Sequence, residues 1–550
     1  MKKILYIFLA FGLMLASCQD FLEVDPIARE TEESFFNTPE NAIYAVNACY
    51  DIIGMTEGPG PDGQWLSHNY EFFFGDFLSD DSEKGSKEAD FQELQEMIEW
   101  RVTSGSGVLE SIWIKCYDGI YRCNSVLKQL ANSELKEELR TRLEGEAHFV
   151  RGYFYFYLVK VYGGAPVFTE PLTPEEFGNI QRATYHETFE QAVADFKMAV
   201  DKLPEKSGYD ASDLGRATKG AARAFLARTL MYQIGMDTEA SVSWDDVYAQ
   251  TSAIINSGEY QLASNYATVF EMNGENNSES IFELQFVEGT TGDAPKKTGT
   301  NFHQFQGNRT DWGWGFNNPS VNLFEAFEAD DPRLSCTAYG ADFNDGIVHG
   351  VKREYDLTEQ MSPYLSRKAA LEPAYRPSIS KSSPANVRKA RYAEVLLTHA
   401  EAAYHTSKEG EAKQMLEIIR DRARNSSYAK GWTEGSVDYT PTGFSGNLPE
   451  ITVSGQELLE AIWHERRVEL AMEAHRFWDL VRTGRYLDAL DLKKETFKTS
   501  DGTALRYENV DLRGNCLEKC KDGANGNKVP LMPIPLREVE DWGLTQNVGY

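Results

Sequence analysis

The chain has 550 residues, of which 41% are hydrophobic and 25% charged, so it can build a large core and is not a disordered protein. Its 85 acidic and 55 basic residues give a formal net charge of −30. Proteins that bind nucleic acid carry a basic patch, and no Lys/Arg cluster here outweighs its acidic neighbours. No nucleic-acid partner is therefore expected.

The first eighteen residues have the pattern of a secretory signal. Lys2 and Lys3 precede an uncharged run over residues 4–16, which is too short to span a bilayer because a spanning helix needs about 20 residues. The run closes with Leu-Ala-Ser-Cys18, which resembles the lipobox of bacterial lipoproteins. We therefore predict a signal peptide over residues 1–17 and a lipid attached to Cys18. The alternative is an ordinary signal peptide with an incidental cysteine.

Helical periodicity recurs along most of the remaining chain. The predicted helices lie near residues 38–54, 109–131, 134–162, 185–203, 216–235, 243–257, 386–407, 409–425 and 455–491. Small residues such as Gly220, Ala224 and Ala227 form stripes that allow helices to approach closely, and the spacing within 386–425 is similar to that of a tetratricopeptide repeat. The expected fold is mainly α, a scaffold of tetratricopeptide-like helical hairpins with long irregular insertions and a few short strands.

Three irregular segments rich in aromatic residues interrupt the helices. They cover residues 55–90, 262–385 and 426–453, and the second of them contains a strand-like run from Ile281 to Val287. Long insertions in a helical scaffold usually bind something or are disordered, and the aromatic content argues against disorder. These segments are the predicted ligand-binding regions.

The sequence contains no complete catalytic or metal-binding motif. Gly58, Gly60 and Gly63 have the spacing of a dinucleotide fingerprint, but prolines stand between them and no strand precedes them. His464 begins a zincin-like helix, yet Val468 stands where the second histidine must be. We expect no catalytic residue, no metal and no cofactor, although the many Asp and Glu residues leave a glycosidase carboxylate pair open.

The cysteines after Cys18 show no pattern of metal ligands, and a structural role is expected for them. Cys116 and Cys123 lie on one face of a predicted helix and are interpreted as small core residues. Cys516 and Cys520 lie in a Gly/Asn/Asp-rich loop, where they either form a local disulfide or remain free.

The segment 465–484 carries the densest charge in the chain. Opposite charges three residues apart can meet on a helix, which predicts the pairs Arg466/Glu469, Glu473/Arg476 and Asp479/Arg482. We interpret the segment as a structural network that fixes helix to helix, and a substrate-ion site is the alternative. The network residues are Glu465, Arg466, Glu469, Glu473, Arg476, Asp479 and Arg482.

Motifs spread over the whole chain resemble those of one bacterial family. They are Cys18 with Asp20-Phe21-Leu22-Glu23, Glu146–Arg151 leading to Tyr162–Pro166, Lys219–Ala222, Asp331-Pro332-Arg333, Arg391–Leu397 with Ala400–Ala402, Glu465–Arg482, Leu531–Pro535 and Leu544–Tyr550. Together they are similar to the SusD/RagB family of outer-membrane nutrient-binding lipoproteins of the Bacteroidetes. Ala474 stands where the family commonly has Gly, a departure expected to affect packing only.

The resemblance implies a lipid-anchored outer-membrane protein that faces the cell exterior and binds a glycan. It also implies a partner, a SusC-like TonB-dependent β-barrel transporter, over which the protein acts as a lid. The expected domain is a single SusD-like unit over residues 18–550. Its parts are an extended lipidated N-terminus at 18–37, a helical part at 38–261, an irregular ligand-loop region at 262–385, and a helical part with the C-terminal family motif at 386–550.

Aromatic side chains in the irregular segments are the candidate glycan platform, because sugar rings stack on aromatic faces while polar neighbours bind the hydroxyls. The candidate ligand-binding residues are Trp65, Asn69, Tyr70, Arg309, Asp311, Trp312, Trp314 and Trp432. Their alternative role is to pin the loops onto the scaffold. The alternative functions are a peptide-binding member of the same family, an inert structural lipoprotein and, more remotely, a glycoside hydrolase.

Overall fold

The computed structural model describes residues 35–54, 70–288, 298–340, 343–354, 361–380, 382–438, 448–497 and 506–550. These residues form a mainly helical protein with a few short strands, as the sequence predicts. None of the helices in these ranges is both long enough and apolar enough to cross a lipid bilayer.

Helices make up the scaffold, and their bounds are as follows. They are α1 (Pro39–Gly54), α2 (Tyr70–Gly75), α3 (Gln92–Ile98), α4 (Gly107–Ala131), α5 (Glu137–Tyr162), α6 (Tyr185–Lys202), α7 (Lys219–Met236), α8 (Trp244–Ser257), α9 (Phe302–Gln306), α10 (Val321–Ala326), α11 (Arg333–Thr337), α12 (Tyr392–His405), α13 (Glu409–Arg424), α14 (Gln456–Glu469), α15 (Arg476–Arg482), α16 (Tyr486–Thr496), α17 (Leu512–Leu517) and α18 (Leu536–Trp542).

The strands of the described residues pair two by two, always antiparallel. They are β1 (Ser82–Gly85) with β3 (Phe316–Pro319), β2 (Ser280–Leu284) with β8 (Val387–Arg391), β4 (Ala338–Gly340) with β7 (Tyr364–Ser366), β5 (Ile347–Val348) with β6 (Val351–Lys352), and β9 (Cys520–Asp522) with β10 (Lys528–Pro530). The pair β1–β3 joins the first irregular segment to the second, and the pair β2–β8 joins the second segment to the residues directly before α12.

The long helices pack in chain order, with α4 on α5, α5 on α6, α6 on α7 and α7 on α8. Helix α8 then packs on α12, and α12 on α13. The close approach of α4 to α5 requires a glycine, because a Cβ on Gly119 would stand 2.1 Å from the ring of Phe154. Cys116 and Cys123 are fully buried in this core, as predicted.

The segment predicted as one helix over 386–407 is in fact a strand followed by a helix. Residues Val387–Arg391 form β8, and the helix begins only at Tyr392. The strand forms because β2 offers it an antiparallel partner from Ser280 to Leu284. The strand-like run predicted from Ile281 to Val287 is thereby confirmed as far as Leu284, and residues 285–287 are not part of the strand. Pairing with a segment more than a hundred residues away thus overrides the local helical pattern.

The predicted long helix over 455–491 is divided into α14, α15 and α16. The first break lies at residues 470–475, where Met472 and Ala474 adopt left-handed backbone angles (φ 60° and 64°). The backbone N–H of Ala474 donates to Asp76 Oδ1 at 3.0 Å. The alanine at 474 therefore affects backbone conformation and not packing alone, because this region favours glycine.

Residues 70–90, predicted as part of an irregular ligand segment, are largely core. The three phenylalanines of α2 are 1–3% exposed, and the strand β1 is buried along its whole length. Lys493 on α16 is also fully buried, and its Nζ donates to the backbone carbonyls of Phe77, Ser79 and Ser82 at 2.8–3.0 Å. A buried ammonium that satisfies three carbonyls holds this stretch in place.

Helix α2 lies so close to the turn before α15 that a methyl group added at Gly75 should strongly lower the stability of the fold. A Cβ on Gly75 would stand 2.1 Å from the backbone oxygen of Ala474, and a backbone atom cannot rotate away. We expect Gly75→Ala to destabilise the fold by about 3 kcal/mol in urea unfolding. The matched control is Gly410→Ala on α13, where a Cβ meets nothing within 4 Å, and a stabilisation of roughly 0.5–1 kcal/mol is expected. Equal effects at the two positions would contradict this packing argument.

Candidate functional site

A short hairpin braces two of the predicted aromatic loops. The hairpin consists of β5, β6 and their flanks, residues 344–354. Asn308, in the loop of Trp312, donates from Nδ2 to the carbonyl of Glu354 at 3.1 Å. On the other side, the N–H of Gly350 donates to the carbonyl of Gly431, next to Trp432, at 2.8 Å. The loops that carry Trp312 and Trp432 therefore flank one structural element.

The close approach of the hairpin to the Trp432 loop depends on glycine. Gly431 has φ +69°, and a Cβ there would stand 2.0 Å from the backbone nitrogen of Gly350. The loop is also tied to the scaffold, because the N–H of the buried Ala429 donates to Ser335 Oγ at 2.9 Å. Trp432 is thus held on a braced loop.

Trp432 is half-buried in an aromatic cluster. Tyr428 stacks on the indole with centroids 5.3 Å apart and planes 9° apart, and Phe343 meets it edge to face at 4.9 Å. Phe343 in turn packs against Phe324, which stacks on Tyr364 at 4.4 Å. The cluster fixes the orientation of the indole.

Trp312 lies beside a group of charged side chains. Arg376 donates to both carboxylate oxygens of Asp311, at 2.9 and 2.6 Å, and its guanidinium carbon lies 5.8 Å from the centre of the Trp312 ring. Arg353, from the hairpin, donates to Asp311 Oδ1 at 3.2 Å. Two guanidinium groups around one carboxylate place hydrogen-bond donors next to a half-buried indole.

Trp314 and Arg309 hold the loop onto the scaffold. The ring of Trp314 packs edge to face on Phe305 at 5.8 Å, and this contact belongs to the main hydrophobic core. Arg309 Nη1 donates to Ser86 Oγ and to Asp90 Oδ2, both at 2.5 Å. The hydrogen bond from Ser86 and the charge of Arg309 lower the pKa of Asp90. These contacts match the loop-pinning alternative.

Three candidate residues are not placed by the structure. Trp65 and Asn69 lie outside the described residues. Tyr70 is the first residue of α2, and its side chain is not among the described parts of the chain. Their roles stay predictions.

His349 of the hairpin turn meets Glu271 and Glu372, which lie elsewhere along the chain, in a buried group with metal-ligand chemistry. Arg367 donates to Glu271 Oε1 at 2.6 Å, and Lys430 donates to Glu372 Oε1 at 3.0 Å. Burial and the nearby Arg367 lower the pKa of His349 well below its usual value, so the ring is neutral. Because the two cations balance the two carboxylates, we interpret the group as an ion-pair network that fixes the turn.

The charged segment forms a buried network, but its pairs are mostly not those that the spacing predicts. Arg466 donates from Nε to Asp479 Oδ2 at 2.7 Å instead of pairing with Glu469. Arg476 pairs with Asp80, 396 residues away, at 2.8 and 2.9 Å instead of with Glu473. For Arg476 the physical reason is the break between α14 and α15, which takes Glu473 out of helical register with it. Arg466 and Glu469 lie on the same helix, but Glu469 already accepts from Arg391, Arg422 and Arg333.

Other pairs of this segment reach across the fold. Asp479 and Arg482, on one helix, pair as predicted at 2.8 Å. Glu465 accepts from Arg333 and Arg420 at 2.5 and 2.8 Å, and both of its oxygens are thereby used. The network joins α14 to α11 and α13.

Glu473 lies at the break between α14 and α15 and has partners that the sequence does not indicate. Its Oε1 and Oε2 accept from Arg391 at 2.8 and 2.7 Å, and Oε1 also accepts from Lys368 at 2.7 Å. Burial alone would raise the pKa of this carboxyl, but the two cations hold it down to about 2. A change at Glu473 would therefore leave Arg391 and Lys368 short of a partner, and not Arg476.

Cys516 and Cys520 are both free thiols in the structure. Cys516 is buried, and Cys520 Sγ donates to the backbone carbonyl of Cys516 at 3.2 Å. Burial raises the pKa of the Cys516 thiol well above its usual value, so this thiol stays protonated.

The structure adds residues to the candidate platform that the sequence analysis did not select. Arg353 and Arg376 lie 42 and 65 residues from Asp311 along the chain, and Tyr428 and Phe343 come from two different loops. No local pattern links such positions, since only the tertiary fold brings them together. The irregular composition of the surrounding segments is the one signal that points to them.

Family models match most of the chain, in two successive regions. A family model described as starch-binding and associating with the outer membrane matches residues 23–231, and a model described as the SusD family matches residues 278–550. The chain belongs to the SusD/RagB family.

Relatives and solved structures agree with this assignment. The chain is 26% identical to SusD-like protein P25 of Formosa agariphila, over 98% of this chain and 96% of the relative. A SusD homologue from Bacteroides thetaiotaomicron has the same fold, with a TM-score of 0.73 and 19% identity over 94% of this chain and 98% of the other. Surface glycan-binding protein A from the same organism, solved in complex with laminarihexaose, matches with a TM-score of 0.69 and 23% identity over 92% of this chain and 99% of the other.

Proposed function

We propose that this protein is a cell-surface lipoprotein that captures an oligosaccharide or polysaccharide and delivers it to a SusC-like TonB-dependent transporter. In this proposal Cys18 carries the lipid, and the protein is anchored in the outer membrane and faces the cell exterior. It acts by binding and has no catalytic role.

The observation that carries the glycan-binding part is the placement of Trp312 and Trp432. Both indoles are half-buried on loops that one hairpin braces, so their orientation is set before a ligand arrives. A fixed ring loses little conformational entropy on binding, which favours stacking on a sugar face. Surface glycan-binding protein A, which shares this fold, was solved with laminarihexaose bound, and this supports an oligosaccharide as the ligand class here.

Polar groups around Trp312 complete the proposed platform. The guanidinium groups of Arg353 and Arg376 stand around Asp311 and are partly exposed, as is the carboxylate. Such donors and acceptors could serve sugar hydroxyls while keeping their mutual ion pairs. The chain has a formal net charge of −30, which repels anionic ligands at long range. A neutral glycan therefore suits this site better than a uronate-rich one.

The test of this platform is removal of each indole. We expect Trp312→Ala and Trp432→Ala each to weaken oligosaccharide binding about tenfold, because a stacked aromatic contributes roughly 0.5–1.5 kcal/mol beyond its buried area. Isothermal titration with a panel of oligosaccharides that includes laminarihexaose measures the loss. Trp542→Ala is the matched control, since this exposed tryptophan lies on α18 and outside these loops. Trp432→Phe should restore part of the affinity.

Other results would redirect the proposal. Wild-type affinity in both variants, with unchanged melting temperatures, would exclude the two indoles as the platform. Binding of unstructured peptides in place of sugars would favour the peptide-binding alternative, and release of shorter products in the same tubes would reveal a hydrolase.

A further inference from the structure

An apolar groove lies away from the aromatic loops, between α4, the segment 166–180 and α18. Its volume is about 380 Å³, in the range of ligand pockets. Three aromatic side chains on it are unusually exposed: Tyr121 by 60%, Phe177 by 45% and Trp542 by 38%. Exposed apolar surface that gathers in one place marks an interaction site on a soluble protein body.

Two polar side chains of the groove, Tyr117 and Asn124, already have hydrogen-bond partners within the protein. Tyr117 donates its hydroxyl to the carbonyl of Pro166 at 2.8 Å. Asn124 donates to two backbone carbonyls at 3.0 and 3.2 Å and accepts from Arg151 at 2.7 Å. An apolar side chain that enters the groove would leave none of these groups without a partner.

The charge of the groove is of one sign. Its charged lining residues are Asp118, Glu170 and Glu538, all acidic. Arg122, which pairs with Asp118 at 3.3 Å, does not line the groove. An apolar floor with an acidic rim is complementary to an apolar side chain flanked by basic residues.

We propose that this groove is a docking site for a protein segment that presents an aromatic or aliphatic anchor next to Lys or Arg, and that the segment belongs to the transporter barrel. The inference rests on the proposed function, which supplies a protein partner held in the same membrane. A pocket filled by a buried anchor is the typical centre of a protein–protein interface, where a few residues carry most of the affinity. Membrane anchoring would raise the effective concentration of the two proteins.

The experiment uses the lipidated full chain and the barrel co-expressed in the outer membrane, extracted in mild detergent. Binding of the purified barrel to the immobilised chain is measured for wild type, Tyr121→Ser/Phe177→Ser and Glu170→Lys. We expect the double variant to bind at least tenfold more weakly and Glu170→Lys to lose affinity most at low salt, where charge attraction is strongest. The matched control is Tyr44→Ser on α1, which removes a tyrosine that is 65% exposed and lies outside the groove.

Each outcome separates the inference from the proposed function. Wild-type barrel affinity in both groove variants would overturn the docking site while leaving the transporter partnership intact. If the wild-type chain itself retains no barrel, the transporter part of the proposed function fails and the inference fails with it. Loss of oligosaccharide affinity in the double variant, with barrel binding preserved, would make the groove a carbohydrate site and would also overturn the proposal.

Discussion

Replacement of Glu469 by Gln is expected to destabilise the fold by about 3–5 kcal/mol, because it removes the charge from a buried carboxylate that several arginines share. Glu469 is fully buried, and its Oε1 accepts from Arg391 Nη1 at 2.7 Å and from Arg422. Its Oε2 accepts from Arg333 Nη1 at 3.1 Å. The glutamine amide would present one neutral oxygen and one N–H donor to the three buried arginines. The positive charge of these arginines would then lack a compensating negative charge.

The control for Glu469 is an ion pair of the same type at the surface. Asp491 pairs with Arg513 at 2.6 Å, and both side chains are about half exposed. Asp491→Asn should therefore change the free energy of unfolding by less than about 1 kcal/mol. Urea unfolding at neutral pH, with the midpoint and slope fitted for each variant, measures both effects. Similar small shifts for the two variants would show that the buried network adds little to stability.

Replacement of Cys18 by Ala is expected to move the protein from the membrane fraction to the soluble fraction. The described residues hold no helix that could cross a bilayer, and the one long apolar run of the sequence precedes Cys18. Acyl chains add about 0.8 kcal/mol of membrane affinity for each buried methylene, so their loss removes the proposed anchor. Fractionation with metabolic labelling by palmitate measures both attachment and lipid.

Ser17→Ala is the matched control for Cys18, because it keeps a small residue at the predicted cleavage site and leaves the thiol in place. This variant should remain in the membrane and carry the label. Fractionation should use cells that lack the barrel, so that a protein partner cannot retain the chain. A Cys18→Ala protein that still sediments with membranes there would contradict the lipoprotein assignment.

Composition alone does not determine which tryptophans form the aromatic platform. The sequence marks the irregular segments as candidate ligand loops but cannot rank their tryptophans. In the structure all three indoles are half-buried, but Trp314 packs on the core, whereas Trp312 lies beside charged side chains and Trp432 lies in a separate aromatic cluster. The difference depends on Phe305, Tyr428 and the hairpin at 344–354, which lie elsewhere along the chain.

Local periodicity determined most of the scaffold. The observed bounds of α1, α4, α5, α6, α8 and α13 lie within a few residues of the predicted ones, because a continuous apolar stripe at helical spacing needs only a neighbouring helix to cover it. The motifs spread along the chain likewise identified the family without any structure.

Tertiary structure decided the points where local and distant interactions compete. Residues 387–391 form a strand because β2 pairs with them, and the long C-terminal helix breaks where Asp76 accepts the N–H of Ala474. The partners of Arg476 and Glu473 follow from that break, since three-residue spacing holds only within an unbroken helix. Contacts between residues hundreds of positions apart leave no local pattern, so the ion-pair network and the placement of the binding loops could be read only from the folded chain.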